Sequence, residues 1–508
     1  MRLALGTFRP LLALLALAAL VPGCQGAGAQ VLTHLSVPAP PALSGKQPRL
    51  WVALAARLGT SPLVLQAEQG DLSLRDGSGR QLKGQRLSFR WRLQPRPQPL
   101  EIRRSVLGPF SSFETAEQAA LSWRAQGVDA VVAHPSDWEV WAPSSAKAPA
   151  GFTARLDQLS SRQERRLQVS TATGWVDLQE PVSVNAPGGL RWDGGVFAGP
   201  FRLQSDAYGS WTLVEQVPLE RYLLGVVPHE IGAGSPAAAL AAQAVLARTW
   251  ALGNQHRFAV DGYHLCADTQ CQVYSDPRQA GAGVRQAIAS TSGQVMAWNN
   301  KPIHAVYHAS NGGVSANEDE AWRLPELSYL EPQLDRPGGR SPGLSLPLDQ
   351  PQEIETLLSS GGFYGSAHPY FRWQRVLAQE TFRQALGARA SALGAPIQPV
   401  VLERGPSGRV VRLALKGPRG QVVLERDAIR RTLRKLPSTL FVVESLSDGR
   451  WRFRGGGFGH GAGLSQAGAI DLASRGWSLQ QILVHYYPGA QLLPLERLPP
   501  AKGSGEGS

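Results

Sequence analysis

Apolar and polar positions alternate through the first part of the chain and set its reading as β structure. From Arg49, the stretches LWVALAARL and LVLQAEQG and then DLSLRDGSG keep a period of two and break at Asp-Gly and Ser-Gly, which predicts hairpins up to about residue 85. Residues 89–101, FRWRLQPRPQPLE, hold three prolines and predict a boundary, because proline removes a ladder donor. The period then changes. FETAEQAALSWRAQG is helical up to Gly127, and VDAVVAHP and DWEVWAP read as strands. Strand patterning resumes after Leu178 in RWDGGVFAGPFRLQS and SWTLVEQV. Pro218 opens a short helix, LERYLLGVV, that Pro228 closes. Ser235 caps and Pro236 starts a second helix, with Leu240, Ala241, Ala244, Val245, Arg248 and Leu252 on one face. Glu230 therefore falls on a bend between two helices. Residues 375–455 read mostly as β, with turns at Ser407-Gly408-Arg409 and Pro418-Arg419-Gly420. A glycine-rich loop, GGGFGHGAG, leads into a helix from about Ser465 to Ser474, and Ser478 with Gln481 caps the last one, LQQILVHYY.

The N-terminus decides the compartment. Met1-Arg2 and Arg9 flank an apolar run from Leu11 to Val21, too short to span a bilayer and followed by Pro22-Gly23-Cys24. Residues 1–24 are thus expected to be a signal peptide with a lipobox-like end. Lipidation of Cys24 would make the chain a lipoprotein on an extracytoplasmic membrane face; ordinary cleavage would leave it periplasmic. Residues 25–47, rich in Ala, Pro and Gly, read as a linker, and 496–508 as a disordered tail.

Composition narrows the class. With 508 residues, 43% of them hydrophobic, the chain can build about three domains or one with large insertions. Only 3 cysteines exclude a disulfide-stapled scaffold. The net charge of +12 is scattered, and export removes nucleic acid as a partner, so the basic balance suits carboxylates and phosphates of a cell wall or membrane.

Within residues 103–178, the strand–helix–strand unit that begins Gly108-Pro109-Phe110-Ser111-Ser112 resembles the front half of a SPOR domain, a module that binds peptidoglycan glycan strands; a generic small α+β insertion reads the same. Further along come VPLERYLLGVVPHEI, AAALAAQAVLARTWAL, CADTQCQVYSD, STSGQVMAWNNKPIHAVYHASNGGVSA and GFGHGAGLSQAGAIDLASRGWSLQQILVHYYPG. In that order they resemble the SpoIID family (stage II sporulation protein D and its amidase-enhancer relatives) over residues 179–495, and the β-rich part at 48–102 suits the family's N-terminal region. The resemblance implies an α+β fold, β-rich with mostly antiparallel strands and a few helices flanking a glycan cleft. It implies a peptidoglycan lytic transglycosylase that prefers glycan strands stripped of stem peptides, forms 1,6-anhydromuramic ends and requires no cofactor. Other members imply the alternative, a noncatalytic wall-binding protein that recruits or enhances an N-acetylmuramoyl-L-alanine amidase.

A lytic transglycosylase needs one carboxyl group that is neutral first and charged later, without the paired carboxylates of ordinary glycosidases. Glu230, in VPHEI, matches the family's VPSEM glutamate, and Val226, Val227 and Ile231 would desolvate it. His229 stands where serine is usual and would lower the glutamate's pKa if the two paired. Arg248 matches the arginine of the family's ARTYA motif. With Gln243 nearby, it is expected either to bind the lactyl carboxylate of muramic acid, to orient Glu230, or to serve as a structural salt bridge. His308, Ser310, Gly312 and Gly313 match the family's H-S-x-S-G-G stretch and are expected to line the cleft. So are His460, Ser465 and Gln466, with Tyr274, Trp298, Trp322 and Trp451 as sugar-stacking candidates. His264, Cys266 and Cys271 offer three ligands for a structural zinc without a fourth, and a Cys266–Cys271 disulfide fits equally. Should the chain instead hydrolyse glycan, a second carboxylate would come from Asp261, Asp268, Glu318, Asp319 or Glu320.

Overall fold

The period-two stretches after residue 48 pair into two large sheets. The computed structural model describes residues 31–45 and 47–499, so the signal segment with Cys24 and the tail from residue 500 lie outside the described residues. One sheet runs Leu265–Cys266, Arg49–Leu58, Trp211–Pro218, Phe201–Ser205, Val182–Asn185, Leu72–Arg75 and Gln81–Gly84; every neighbour is antiparallel except the first pair. The other has nine strands around a single long one, Arg86–Phe110. Leu50, Val52, Leu65, Leu74, Phe89, Leu167 and Phe201 turn inward from both sheets into one core, as the alternation requires.

The predicted boundary at residues 89–101 is not there. Arg86–Phe110 crosses it unbroken, antiparallel to Arg155–Thr171 over most of its length. The register between these strands skips from Pro95 to Leu100, so Pro97 and Pro99 fall in a bulge where no ladder donor is needed. The N-terminal part and the insertion therefore share one strand. The strand–helix–strand unit forms as expected. Helix α1 (Phe113–Arg124) is capped by Ser112 and followed by strands Val131–Ala133 and Trp138–Pro143. It packs Phe113, Ala116, Ala120 and Trp123 into a cluster with Phe258, Tyr263 and Cys266, and Arg257 reaches Glu114 at 2.5 Å within it. The described part of the expected linker is also held: Gln255 accepts from the Leu43 N–H at 3.0 Å, and the Pro41 carbonyl lies 3.0 Å from a ring nitrogen of His264.

Helix α2 (Leu219–Val227) and helix α3 (Ala237–Gly253) appear where expected. The one-sided face read for α3 is too narrow, because Ala239 to Leu252 are buried without interruption. It is a core helix. Residues 375–455 contain the expected strands in two three-stranded antiparallel sheets, and also helices Gln379–Leu386, Ala388–Leu393 and Asp427–Thr432. In the first of these only Phe382 and Leu386 are buried, too sparse a pattern to betray a helix. The last two helices, Gln466–Ser474 and Leu479–Tyr486, carry the predicted Ser465 and Ser478–Gln481 caps. Strand Tyr307–His308 lies parallel to Leu464–Ser465, so the chain leaves and re-enters the core at neighbouring points. Among the described residues no helix is long and apolar enough to cross a membrane.

Candidate functional site

Pro228 has no N–H to continue the ladder of α2, and the chain widens there into a π turn, Pro228–Gly232, before α3 begins. Glu230 sits on this turn, with Val226, Val227 and Ile231 buried around it. Burial pushes its carboxyl up to about 7, against the pull of hydrogen bonds from the Val273 N–H and the side chains of Tyr307 and Gln466. The Val273 bond measures 3.2 Å. His229 is exposed, and among the described residues no ion pair joins it to Glu230.

The donors around Glu230 are oriented by a buried chain. The Tyr222 hydroxyl donates to Gln272 Oε1 at 3.1 Å, while Gln272 Nε2 donates to the Ala247 carbonyl at 3.4 Å and to Tyr307 Oη at 2.9 Å. Neither the carbonyl nor the amide oxygen can donate, so the Tyr307 proton is left for Glu230. Gln466 Nε2 donates to Gln243 Oε1 at 3.2 Å, and Gln243 Nε2 is buried without a partner. Gln466 thus joins Glu230, and Gln243 lies behind it. Tyr222, Gln272 and Tyr307 went unread in the sequence; only tertiary contact brings them together.

The remaining candidates divide. His460 joins the site indirectly: its Nε2–H donates to the Tyr307 carbonyl at 2.9 Å, its Nδ1 accepts from Ala462, and burial pushes its pKa down to about 4. Trp322 covers it, with ring centroids 4.7 Å apart. His308 donates from Nδ1 to the Ala462 carbonyl at 3.1 Å, and burial holds it neutral. Ser310 bridges to Phe458 through backbone bonds, and Ser465 caps the helix behind Gln466. Gly312 and Gly313 serve chain packing, not sugar approach. A Cβ on Gly312 would meet Gly456 C at 2.5 Å, and one on Gly313 the Phe363 ring at 2.9 Å. Tyr274 is buried against Tyr222 and bonds Glu215 at 2.9 Å, so it offers no face to a sugar. The exposed stacked pair Tyr370 and Phe458, with ring centroids 4.9 Å apart, does offer one.

Arg248 is a structural residue. It is fully buried, gives Nε and Nη2 to the two Glu220 oxygens at 2.7 and 2.8 Å, and Nη1 to the Gln294 carbonyl at 3.0 Å. Four of its five N–H groups are engaged, counting a longer bond from Nη1 to the Ala244 carbonyl at 3.4 Å, and full burial keeps the guanidinium from a muramic carboxylate. Arg248→Lys, which cannot satisfy all three acceptors, is expected to lower stability by about 1–3 kcal/mol in thermal unfolding, with glycan affinity in a pelleting assay unchanged.

The zinc set does not assemble. Cys266 and Cys271 are joined as a disulfide, and both ring nitrogens of His264 face backbone, at Trp51 and Pro41. Among the described residues no group of three His, Cys, Asp or Glu is placed to hold a metal ion. Among the described residues no second carboxylate acts on the Glu230 carboxyl. Asp261 bonds Tyr208, Asp319 pairs with Arg426, Glu320 accepts from Ser407, and Asp268 accepts from the Gln270 N–H.

Two stretches of the chain match known families. Residues 207–298 match the SpoIID family, described as "Stage II sporulation protein", and residues 316–463 match a "Domain of unknown function (DUF8618)". Stage II sporulation protein D of Bacillus amyloliquefaciens is 27% identical over 304 residues, which cover 55% of this chain and 75% of the relative. That of Bacillus subtilis (strain 168) is 26% identical over 307 residues, covering the same shares. The amidase enhancer of Bacillus subtilis (strain 168) is 26% identical over 297 residues, 53% of this chain and 40% of the relative.

Proposed function

We propose that this chain, a homologue of the SpoIID family carrying an additional DUF8618 region, cuts peptidoglycan glycan strands as a lytic transglycosylase, with Glu230 as its acid and then its base. The observation that carries this reading is a single carboxyl group, poised at about 7 and facing donors that favour its charged form. Near neutral pH about half of such groups hold a proton, the poise a group needs to give one up and reclaim it. In the first half, Glu230 protonates the glycosidic oxygen as the C1–O bond breaks. In the second, the carboxylate takes the proton from the 6-hydroxyl of the same muramic acid as O6 bonds C1, closing the 1,6-anhydro ring. No water enters, so the reaction needs no partner carboxylate.

Strands stripped of stem peptides are the preferred substrate in this proposal, and a lipid on Cys24 holds the exported chain at the extracytoplasmic membrane face. A second reading, favoured by the likeness to an amidase enhancer, is recruitment of an amidase without cutting. Digestion of purified glycan followed by mass spectrometry separates them: 1,6-anhydromuramic ends support cutting, and intact glycan with retained binding supports recruitment.

Tyr307→Phe tests the oriented donor. Losing a hydrogen bond to the charged form should cut kcat roughly tenfold and leave KM nearly unchanged. The high-pH limb of the rate profile should move upward, because that bond lowers the glutamate's pKa.

A further inference from the structure

The disulfide lies directly before the residues that serve Glu230. Cys266 is fixed at one end, since Leu265–Cys266 pairs in parallel with Val52 and Ala53 of the seven-stranded sheet. Cys271 is tied back to it across five positions. The next residue, Gln272, aims the Tyr307 hydroxyl, and the one after, Val273, gives its N–H to Glu230. Val273 itself is 36% exposed, so little packing holds its amide in place. Within the segment the Cys271 N–H bonds Asp268 and the Tyr274 N–H bonds Ala267, both at 3.0 Å. From outside, Arg257 and Trp138 hold Gln270 at 3.0 and 3.1 Å, Tyr222 and the Ala247 carbonyl hold the Gln272 side chain, and Glu215 holds the Tyr274 hydroxyl. A cavity of about 430 Å³ opens onto the other side of the loop, lined by Cys266, Asp268, Gln270 and Tyr274. A small dithiol can reach the bridge from there.

We propose that Cys266 and Cys271 are positioning residues for Glu230, their disulfide clamping the loop that presents Gln272 and Val273, and that a dithiol reductant entering by the cavity releases this clamp. This rests on the reading of Glu230 as the reacting carboxyl. In the exchange, a reductant thiolate attacks one sulfur and expels the other as thiolate. Its second thiol then resolves the mixed disulfide, so the two electrons and two protons of the dithiol end on Cys266 and Cys271. The groups facing Glu230 are the Val273 N–H and the Tyr307, Tyr222 and Gln466 side chains. Of the direct hydrogen-bond donors, only the Val273 amide and Tyr307 depend on this loop.

The test is carried out on the full chain, oxidised and after dithiothreitol, with the two new thiols counted and folding followed by circular dichroism. Reduction is expected to lower kcat about tenfold with KM within about twofold, and to raise the Glu230 pKa by roughly half a unit to one unit in a carboxyl-carbon NMR titration. Reoxidation should restore both. Cys266→Ser/Cys271→Ser should behave as the reduced chain does. Val273→Pro, which deletes the N–H and keeps the bridge, should raise the pKa in the oxidised chain, and dithiothreitol should then lower kcat only by the part carried through Gln272 and Tyr307. An unchanged Glu230 titration and unchanged kcat on full reduction overturn the proposal. If the oxidised chain makes no anhydro ends, the transglycosylase reading fails, while the carboxyl titration still decides the clamp.

Discussion

Glu230→Gln is expected to lower release of 1,6-anhydromuramic ends by roughly 10²–10⁴-fold, the usual contribution of a positioned acid–base group, while the fold and glycan binding persist. Glutamine keeps the shape of the protonated acid and can neither give nor take the proton. The same exchange has a stability signature. The folded carboxyl titrates at about 7 against an ordinary 4.5, so the native state holds an extra proton between those values. That stabilisation is present below about 4.5 and is lost as pH rises through about 7. The glutamine variant cannot lose it and should melt higher than the parent at pH 8, with the gap closing at pH 4. A loss of activity with no such stability crossover would place Glu230 outside the dry pocket.

Glu114→Leu is expected to cost about 3–5 kcal/mol, the penalty for stranding a buried charge, and to free α1 from the body of the protein. Arg257 would remain at 4% exposure, its guanidinium beside the Phe113 ring, without a counter-charge. Burial, the largest single influence, would raise the Glu114 carboxyl, but the Arg257 charge together with His304 and the hydrogen bonds from the backbone and Arg257 outweighs it and holds the group down at about 2. A depressed carboxyl stabilises the fold above its ordinary range near 4.5 and loses that contribution as pH falls through about 2. The parent should therefore lose stability steeply at the acid end of a urea-unfolding series, and the leucine variant should lack this dependence. Against a total of about 5–15 kcal/mol for a typical protein, the neutral-pH loss is large. An unfolding midpoint shifted by less than the equivalent of about 1 kcal/mol at pH 7 would mean that α1 docks by its apolar face alone.

What could be read in the residues was local. Pro228, Ser235 and Pro236 mark the bend that carries Glu230 within a few positions, and the capping box at Ser478 and Gln481 needs only its own turn. Arg248 shows the limit. Its partner Glu220 lies on the preceding helix, 28 residues away, and nothing in the ARTWA motif reveals that the guanidinium is buried against it. Gln272 and Tyr307 likewise acquire meaning only when the disulfide loop meets the strand before His308. The prolines of the long strand misled for a different reason: a bulge removes the need for the hydrogen bonds they cannot make.

Ala316 and Ala462 bridge side by side, next to the parallel pair that holds His308 against Ser465. The chain between them departs and returns at neighbouring points and is stitched to the core along the way: Asp335 accepts from His485 and Tyr486, and His460 donates to the Tyr307 carbonyl. Its outward surface loops can lengthen or shorten over generations while those ties, and with them the separation of Glu230 and Tyr307, are kept. The scaffold thus leaves room for accessory modules to diversify without disturbing the floor on which the proton moves.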